Sequence, residues 1–205
     1  MTSPGRARFI VLDGVDGCGK STQARRLAEH LSKVRGVEAL HLREPGSTSA
    51  GERIREILLS RDHDLDPGVE LLLFAAARRQ TLRELVAPAL AAGRDVVCER
   101  FHASTFAYQA VAGGLPEADV LALLVRWSNE PEPDALVLLD LDPDLAARRR
   151  AGPTDRIEAK GLEFQRKVAA GYRRFAALRP GTHVVDASGD ADTVERAVRA
   201  AVGLV

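Results

Sequence analysis

The chain is short of the features that would mark most alternatives to an ordinary folded domain. It has two cysteines, Cys18 and Cys98, in 205 residues, too few for a disulfide scaffold and without the spacing of a metal site. Neither sign of charge is in excess: 29 Lys and Arg against 29 Asp and Glu leave a formal net charge of zero. Nucleic-acid wrapping and membrane-surface binding both draw on a basic excess, so neither partner is expected. No apolar run approaches the roughly 20 residues of a membrane span, and Phe9–Leu12 is too short for a signal-peptide core. Asn129 is the only asparagine and Glu130 follows it, so the Asn-Lys-x-Asp segment with which GTPases read guanine is missing. There is no internal repeat and no low-complexity tail. What remains, 45% hydrophobic and 28% charged, fits one globular domain over residues 1–205, expected in the cytosol.

Short apolar runs alternate with longer helical patterns. Phe9–Leu12 reads as a strand buried on both faces. After a glycine-rich turn, Ala24, Leu27, Ala28, Leu31 and Val34 share one helix face until Gly36. Further strands are expected at Val37–Leu42, Asp95–Cys98, Ala135–Leu141 and Thr182–Asp186. Helices are expected at Arg53–Leu59, from Asp66-Pro67 to Gly93 with a kink or division at Pro88, around Thr105–Val111, at Glu117–Trp127 and at Thr193–Val202. The alternation predicts an α/β fold, a doubly wound parallel sheet with helices on both faces, and an arginine-rich lid near residues 148–156.

Gly14-Val15-Asp16-Gly17-Cys18-Gly19-Lys20-Ser21 fits G-x-x-x-x-G-K-[ST] between a buried strand and an amphipathic helix. Glycines let successive backbone N–H groups turn inward around an anion, and the helix N-terminus adds its positive end. Lys20 is suited to the β- and γ-phosphates, and the Ser21 hydroxyl to Mg²⁺. ATP-binding is therefore assigned to residues 14–22, through Thr22. Many classes share this loop, so the kind of protein must be read elsewhere. Further arginines follow the expected strands or lie on helices near them, which suggests a second anionic ligand.

In chain order come Arg43-Glu44-Pro45-Gly46, Leu73-Phe74 with Arg78-Arg79-Gln80, Glu99-Arg100-Phe101-His102 leading to Ser104-Thr105 and Tyr108-Gln109, then Arg148-Arg149-Arg150 leading to Asp155-Arg156-Ile157-Glu158. Together with the phosphate loop, this series resembles the thymidylate (dTMP) kinase family from Phe9 to about Tyr172. The resemblance implies transfer of a phosphoryl group from ATP to dTMP, for dTTP synthesis, with Mg²⁺ as cofactor and a homodimer as the assembly. It implies that Arg43 and Arg100 hold the acceptor phosphate, that Phe74 stacks on thymine, and that Arg78 donates to the pyrimidine edge. Thr105 would face the base, Ser104 would belong to the dTMP site, and Tyr108 would pack under the deoxyribose, excluding a 2′-hydroxyl. Asp16 would accept from the sugar 3′-hydroxyl or hold a magnesium-bound water. With Gly17 where one subgroup carries an arginine, the bacterial-type pattern calls for a catalytic lid arginine, Arg149 or Arg150, beside the catalytic candidates Lys20, Arg100 and Glu99.

Two positions depart from the family pattern. Glu99 replaces the usual aspartate and Asp13 the usual glutamate. The expectation is a compensating exchange that keeps a magnesium–water network, reached by Ser21, Asp16 and Glu99, in range. The alternatives for the same fold are a kinase of another pyrimidine monophosphate and a catalytically weakened nucleotide-binding module.

Overall fold

A computed structural model describes residues 6–128, 130–149 and 156–204. Most of the expected lid, including Arg150, lies outside the described residues. Five parallel strands, β1 (Phe9–Gly14), β2 (Leu40–Arg43), β3 (Val96–Glu99), β4 (Ala135–Asp140) and β5 (Thr182–Asp186), stand in the order β2-β3-β1-β4-β5. Every residue of β1 is buried. Its alternation sends Ile10 and Leu12 into the larger core and Phe9 and Val11 into the smaller core on the other face. That two-sided burial explains why the strand reads as an unbroken apolar run.

The helices are α1 (Lys20–Arg35), α2 (Ser49–Leu59), α3 (Pro67–Thr81), α4 (Ala87–Ala91), α5 (His102–Thr105), α6 (Glu117–Trp127), α7 (Pro143–Arg149), α8 (Gly161–Leu178) and α9 (Ala191–Ala201). Asp66 caps α3 by accepting from Gly68 N, and Pro67 opens it. The division expected at Pro88 appears one turn earlier, as a π-helical segment Leu82–Val86 that carries α3 into α4. A wider turn ahead of the proline relieves the backbone bond its ring would block. Strand β2 begins at Leu40 rather than Val37, because Val37 and Glu38 are exposed beyond the end of α1.

Two helices were not anticipated from periodicity, α7 and α8. The second buries Val168, Ala169, Tyr172 and Phe175 against a π-helical turn, Phe106–Ala112, that continues α5. The approach is close enough that a Cβ on Gly171 would lie 2.8 Å from the Ala107 Cα. The connection after β1 runs toward β2 and that after β4 toward β5, so the loop leaving β1 lies where the winding reverses, the usual ligand crevice of open α/β sheets.

Candidate active site

The phosphate loop joins β1 to α1. Gly14 has φ 144°, and a Cβ there would stand 2.5 Å from the Leu139 carbonyl oxygen, so no side chain fits. Gly19 caps α1 in the left-handed region with φ 95°, no side chain closes the cap, and no acid stands in the first turn. The positive helix end is thus left for an anion. The Lys20 ammonium is 2.9 Å from each of the Gly14 and Val15 carbonyl oxygens, which tethers it across the loop. Asp16, Gly17, Gly19, Lys20, Ser21 and Thr22 line a cavity of about 460 Å³. Gly14, Val15 and Cys18 are buried behind it and shape the loop, and burial pushes the Cys18 thiol up.

The opposite wall follows β3. Arg100 adopts φ 69°, left-handed for a residue with a side chain, a strain that clusters at functional sites. Its guanidinium pairs with Asp16, donates to Ser104 Oγ at 3.2 Å and lies 5.5 Å from the Tyr108 ring centroid. The Tyr108 hydroxyl donates to Asp16 Oδ2 at 3.0 Å. Burial raises the Asp16 pKa, but Arg100, Lys20 and the tyrosine hydroxyl outweigh it and hold the carboxyl well below its usual range.

Beside this wall the cavity is lined by Phe74, Arg78, Thr105, Tyr108 and Gln109, and by Arg43, Glu44 and Arg55. Arg78 is only 1% exposed. Its Nε donates to Glu44 Oε2 at 2.6 Å, and Nη2 to Phe101 O at 3.0 Å and Thr105 Oγ1 at 3.1 Å. Nη1 is buried with no hydrogen-bond partner among the described residues. Arg78 is therefore a bracketed donor rather than a free side chain, and Thr105 is engaged by it. Burial raises Glu44 to about 7, against the pull of Arg78. Arg43 is largely exposed at the rim, 3.5 Å from Glu52.

Glu99 and Asp13 do not share the network expected of them. Glu99 Oε2 accepts from Ser21 Oγ at 2.5 Å and Oε1 meets His41 Nε2 at 2.8 Å. Burial raises the Glu99 pKa, but these hydrogen bonds bring it below its ordinary value. Asp13 is fully buried. It accepts from Gly14 N, Phe101 N, Ser104 N and Oγ, and Tyr172 Oη. The alternating pleat turns one acid toward the phosphate loop and the other into the start of α5, which corrects the idea of an exchange within one network. Arg149 lines the cavity, but its guanidinium donates to Ala187 O at 2.7 Å and Ser188 O at 2.6 Å.

Sequence reasoning passed over Glu44, Arg55, Gln109 and His41. Glu44 and Gln109 stood inside quoted motifs, which was a usable signal. Arg55 on α2 and His41 on β2 carried none, since only the tertiary fold turns them toward the cavity and toward Glu99.

A phosphate loop at the switch point, facing a second arginine-bearing wall across one cavity, defines a P-loop kinase with two anionic ligands. The family model "Thymidylate kinase" matches residues 12–198. A thymidylate kinase of Jannaschia sp. (strain CCS1) is 44% identical over 95% of each chain, and one of Dinoroseobacter shibae is 45% identical over 90% of this chain and 89% of its own. The crystal structure of thymidylate kinase from Ehrlichia chaffeensis superposes with TM-score 0.80 at 29% identity, covering 96% of this chain and 99% of that one. The chain belongs to the thymidylate kinase family, and it catalyses ATP-dependent phosphorylation of dTMP.

Proposed function

We propose the following division of labour for this reaction. Gly14 through Thr22 cradle ATP, with Lys20 on its terminal phosphates. Phe74, Arg78 and Thr105 hold the thymine, Tyr108 and Asp16 the deoxyribose, and Arg43 and Arg100 the acceptor phosphate, with Ser104 beside Arg100. The observation that carries this reading is that Lys20, at 3.5 Å, and Arg100 both pair with Asp16 Oδ1. One carboxylate thereby ties the donor-side cation to the acceptor-side cation across a single cleft.

The second pKa of a phosphate monoester is about 6, so the acceptor oxygen needs no strong general base at neutral pH. The protein's task is to place two mutually repelling anions in line and to neutralise the transferred group. Lys20 and Arg100 act from the two sides, with Arg149 or Arg150 as the third cation; Arg150 lies outside the described residues. The Ser21 hydroxyl and Glu99 carboxylate present adjoining hard oxygen ligands beside Lys20, a donor set suited to Mg²⁺. Ser21 would hold the ion directly, and Glu99 and Asp16 through water. When bound, Mg²⁺ neutralises phosphate charge.

The same reading has the chain working as a single domain in the cytosol and as a homodimer. Val69, Leu72, Val125 and Trp127 are between 43% and 60% exposed on the neighbouring helices α3 and α6, an apolar face suited to a second copy. Among the described residues no helix is long and apolar enough to cross a membrane. Arg100→Met tests the central assignment. It should lower kcat with dTMP by about 10³-fold while calorimetric ATP affinity stays within about threefold. Equal loss of ATP binding would move Arg100 to the donor side.

A further inference from the structure

We infer that Glu70 is a positioning residue that sets base specificity, by fixing the Gln109 side-chain amide in the orientation that reads a keto pyrimidine. This rests on assigning the cavity beside Phe74 and Arg78 to the acceptor base. Glu70, on α3, is 2% exposed. Its Oε1 lies 2.8 Å from Arg156 Nη1 and 3.2 Å from Lys160 Nζ, and Oε2 accepts from Gln109 Nε2 at 2.9 Å.

A carboxylate held by two cations only accepts hydrogen bonds. The amide atom facing it must therefore be nitrogen, so chemistry settles an orientation that amide geometry alone leaves open. Reversal would set Gln109 Oε1 against a Glu70 oxygen inside the protein, at the cost of an unsatisfied buried pair.

Gln109 also lines the cavity. With one N–H committed to Glu70, the edge it keeps for a ligand is Oε1 with the second N–H beside it, an acceptor next to a donor. Thymine and uracil present the complement, an N3–H donor flanked by carbonyl oxygens. Cytosine presents N3 as an acceptor next to an amino donor, and requires the reversed amide. Arg78 lines the same cavity, and a guanidinium there suits a carbonyl oxygen and opposes an exocyclic amine.

The experiment compares kcat/KM for dTMP and dCMP. In Glu70→Gln the residue facing Gln109 can offer either oxygen or nitrogen, so the lock is released. The preference for dTMP over dCMP should fall by about tenfold or more, mainly through KM, with ATP affinity retained. Lys160→Met, which removes one cation but keeps the carboxylate, should leave the preference unchanged. An equal loss for both substrates in Glu70→Gln, or an unchanged preference, overturns the proposal. Gln109→Met leaves Glu70 and its cations in place and must lose the same discrimination. Undiminished dTMP preference there overturns the proposal even if Glu70→Gln fails to fold. Phe74→Ala tests the underlying pocket assignment separately, since it should raise KM for both monophosphates. If it does not, the pocket reading fails rather than the role of Glu70.

Discussion

Glu99 pairs with Leu12 in the register of β3 and β1, so its carboxylate and that of the next residue, Asp13, leave the sheet on opposite sides. Glu99 reaches Ser21, while Asp13 anchors Ser104 and Tyr172. An added methylene at Asp13 has no room in a fully buried, fully engaged site. Asp13→Glu should destabilise the protein by about 1–3 kcal/mol, and Glu99→Asp should not rescue it. In a denaturant double-mutant cycle the coupling should stay within about 0.5 kcal/mol. Strong mutual rescue would restore the idea of a shared network.

The Ser21–Glu99 pair makes a prediction about the metal. Glu99→Gln keeps the shape and a hydrogen-bonding oxygen but removes the charge that a hydrated cation would face. At fixed ATP, the half-saturating Mg²⁺ concentration should rise by about tenfold, in the range seen when supporting ligands are lost. Direct titration with Mn²⁺ by electron paramagnetic resonance should show the same weakening. An unchanged metal affinity would confine Glu99 to holding Ser21 and His41.

Tyr108 separates two roles in one side chain. Its ring packs against the cleft and its hydroxyl donates to Asp16. Tyr108→Phe should retain the preference for dUMP over UMP while raising KM for dTMP by at most about 10- to 150-fold, since one hydrogen bond to a charged group is worth about 1.5–3 kcal/mol. Tyr108→Ala should relax the preference for the deoxy sugar. Steady-state kinetics with the three monophosphates distinguish the two effects, and a Phe variant that accepts UMP would refute the steric account.

Local features were legible in the sequence and convergent ones were not. The phosphate loop could be read because Gly14, Gly19, Lys20 and Ser21 are neighbours in the chain, and because β1 is apolar along its whole length. Strands β3 and β4 showed as apolar runs for the same reason, whereas the edge strands β2 (Leu-His-Leu-Arg) and β5 (Thr-His-Val-Val-Asp) are mixed and largely not buried. Helix α8 was harder, since its buried Gln165 and Gly171 break the apolar face that periodicity seeks. Arg78 announced itself as a ligand donor, but its bracket by Glu44 and Thr105 joins three separate segments. Glu70 is a first-turn acid of α3, the ordinary preference near a helix N-terminus, and so carried no signal of a site. Only the fold brings Gln109, Arg156 and Lys160 to it.

His102 and Glu44 make opposite contributions to stability with pH. His102 is buried, with Nε2 2.7 Å from the Ser128 carbonyl oxygen, so Nε2 carries the proton and donates. Burial, with Arg78 nearby, holds its pKa well below 6.5. The unfolded chain therefore binds the extra proton below pH 6.5, and this contribution is lost as pH falls from there. Glu44 is raised from 4.5 to about 7, so the folded state binds the extra proton between those values and stability declines as pH rises through them. From about pH 4.5 to 6.5 the two slopes oppose, each bounded at about 1.4 kcal/mol per pH unit. His102→Asn, which retains a donor, should make the protein relatively more stable at pH 5 than at 6.5, whereas Glu44→Gln should steepen its acid lability. Urea unfolding of both variants at half-unit intervals measures the slopes. Parallel shifts in the two would show that neither group titrates on unfolding in this window.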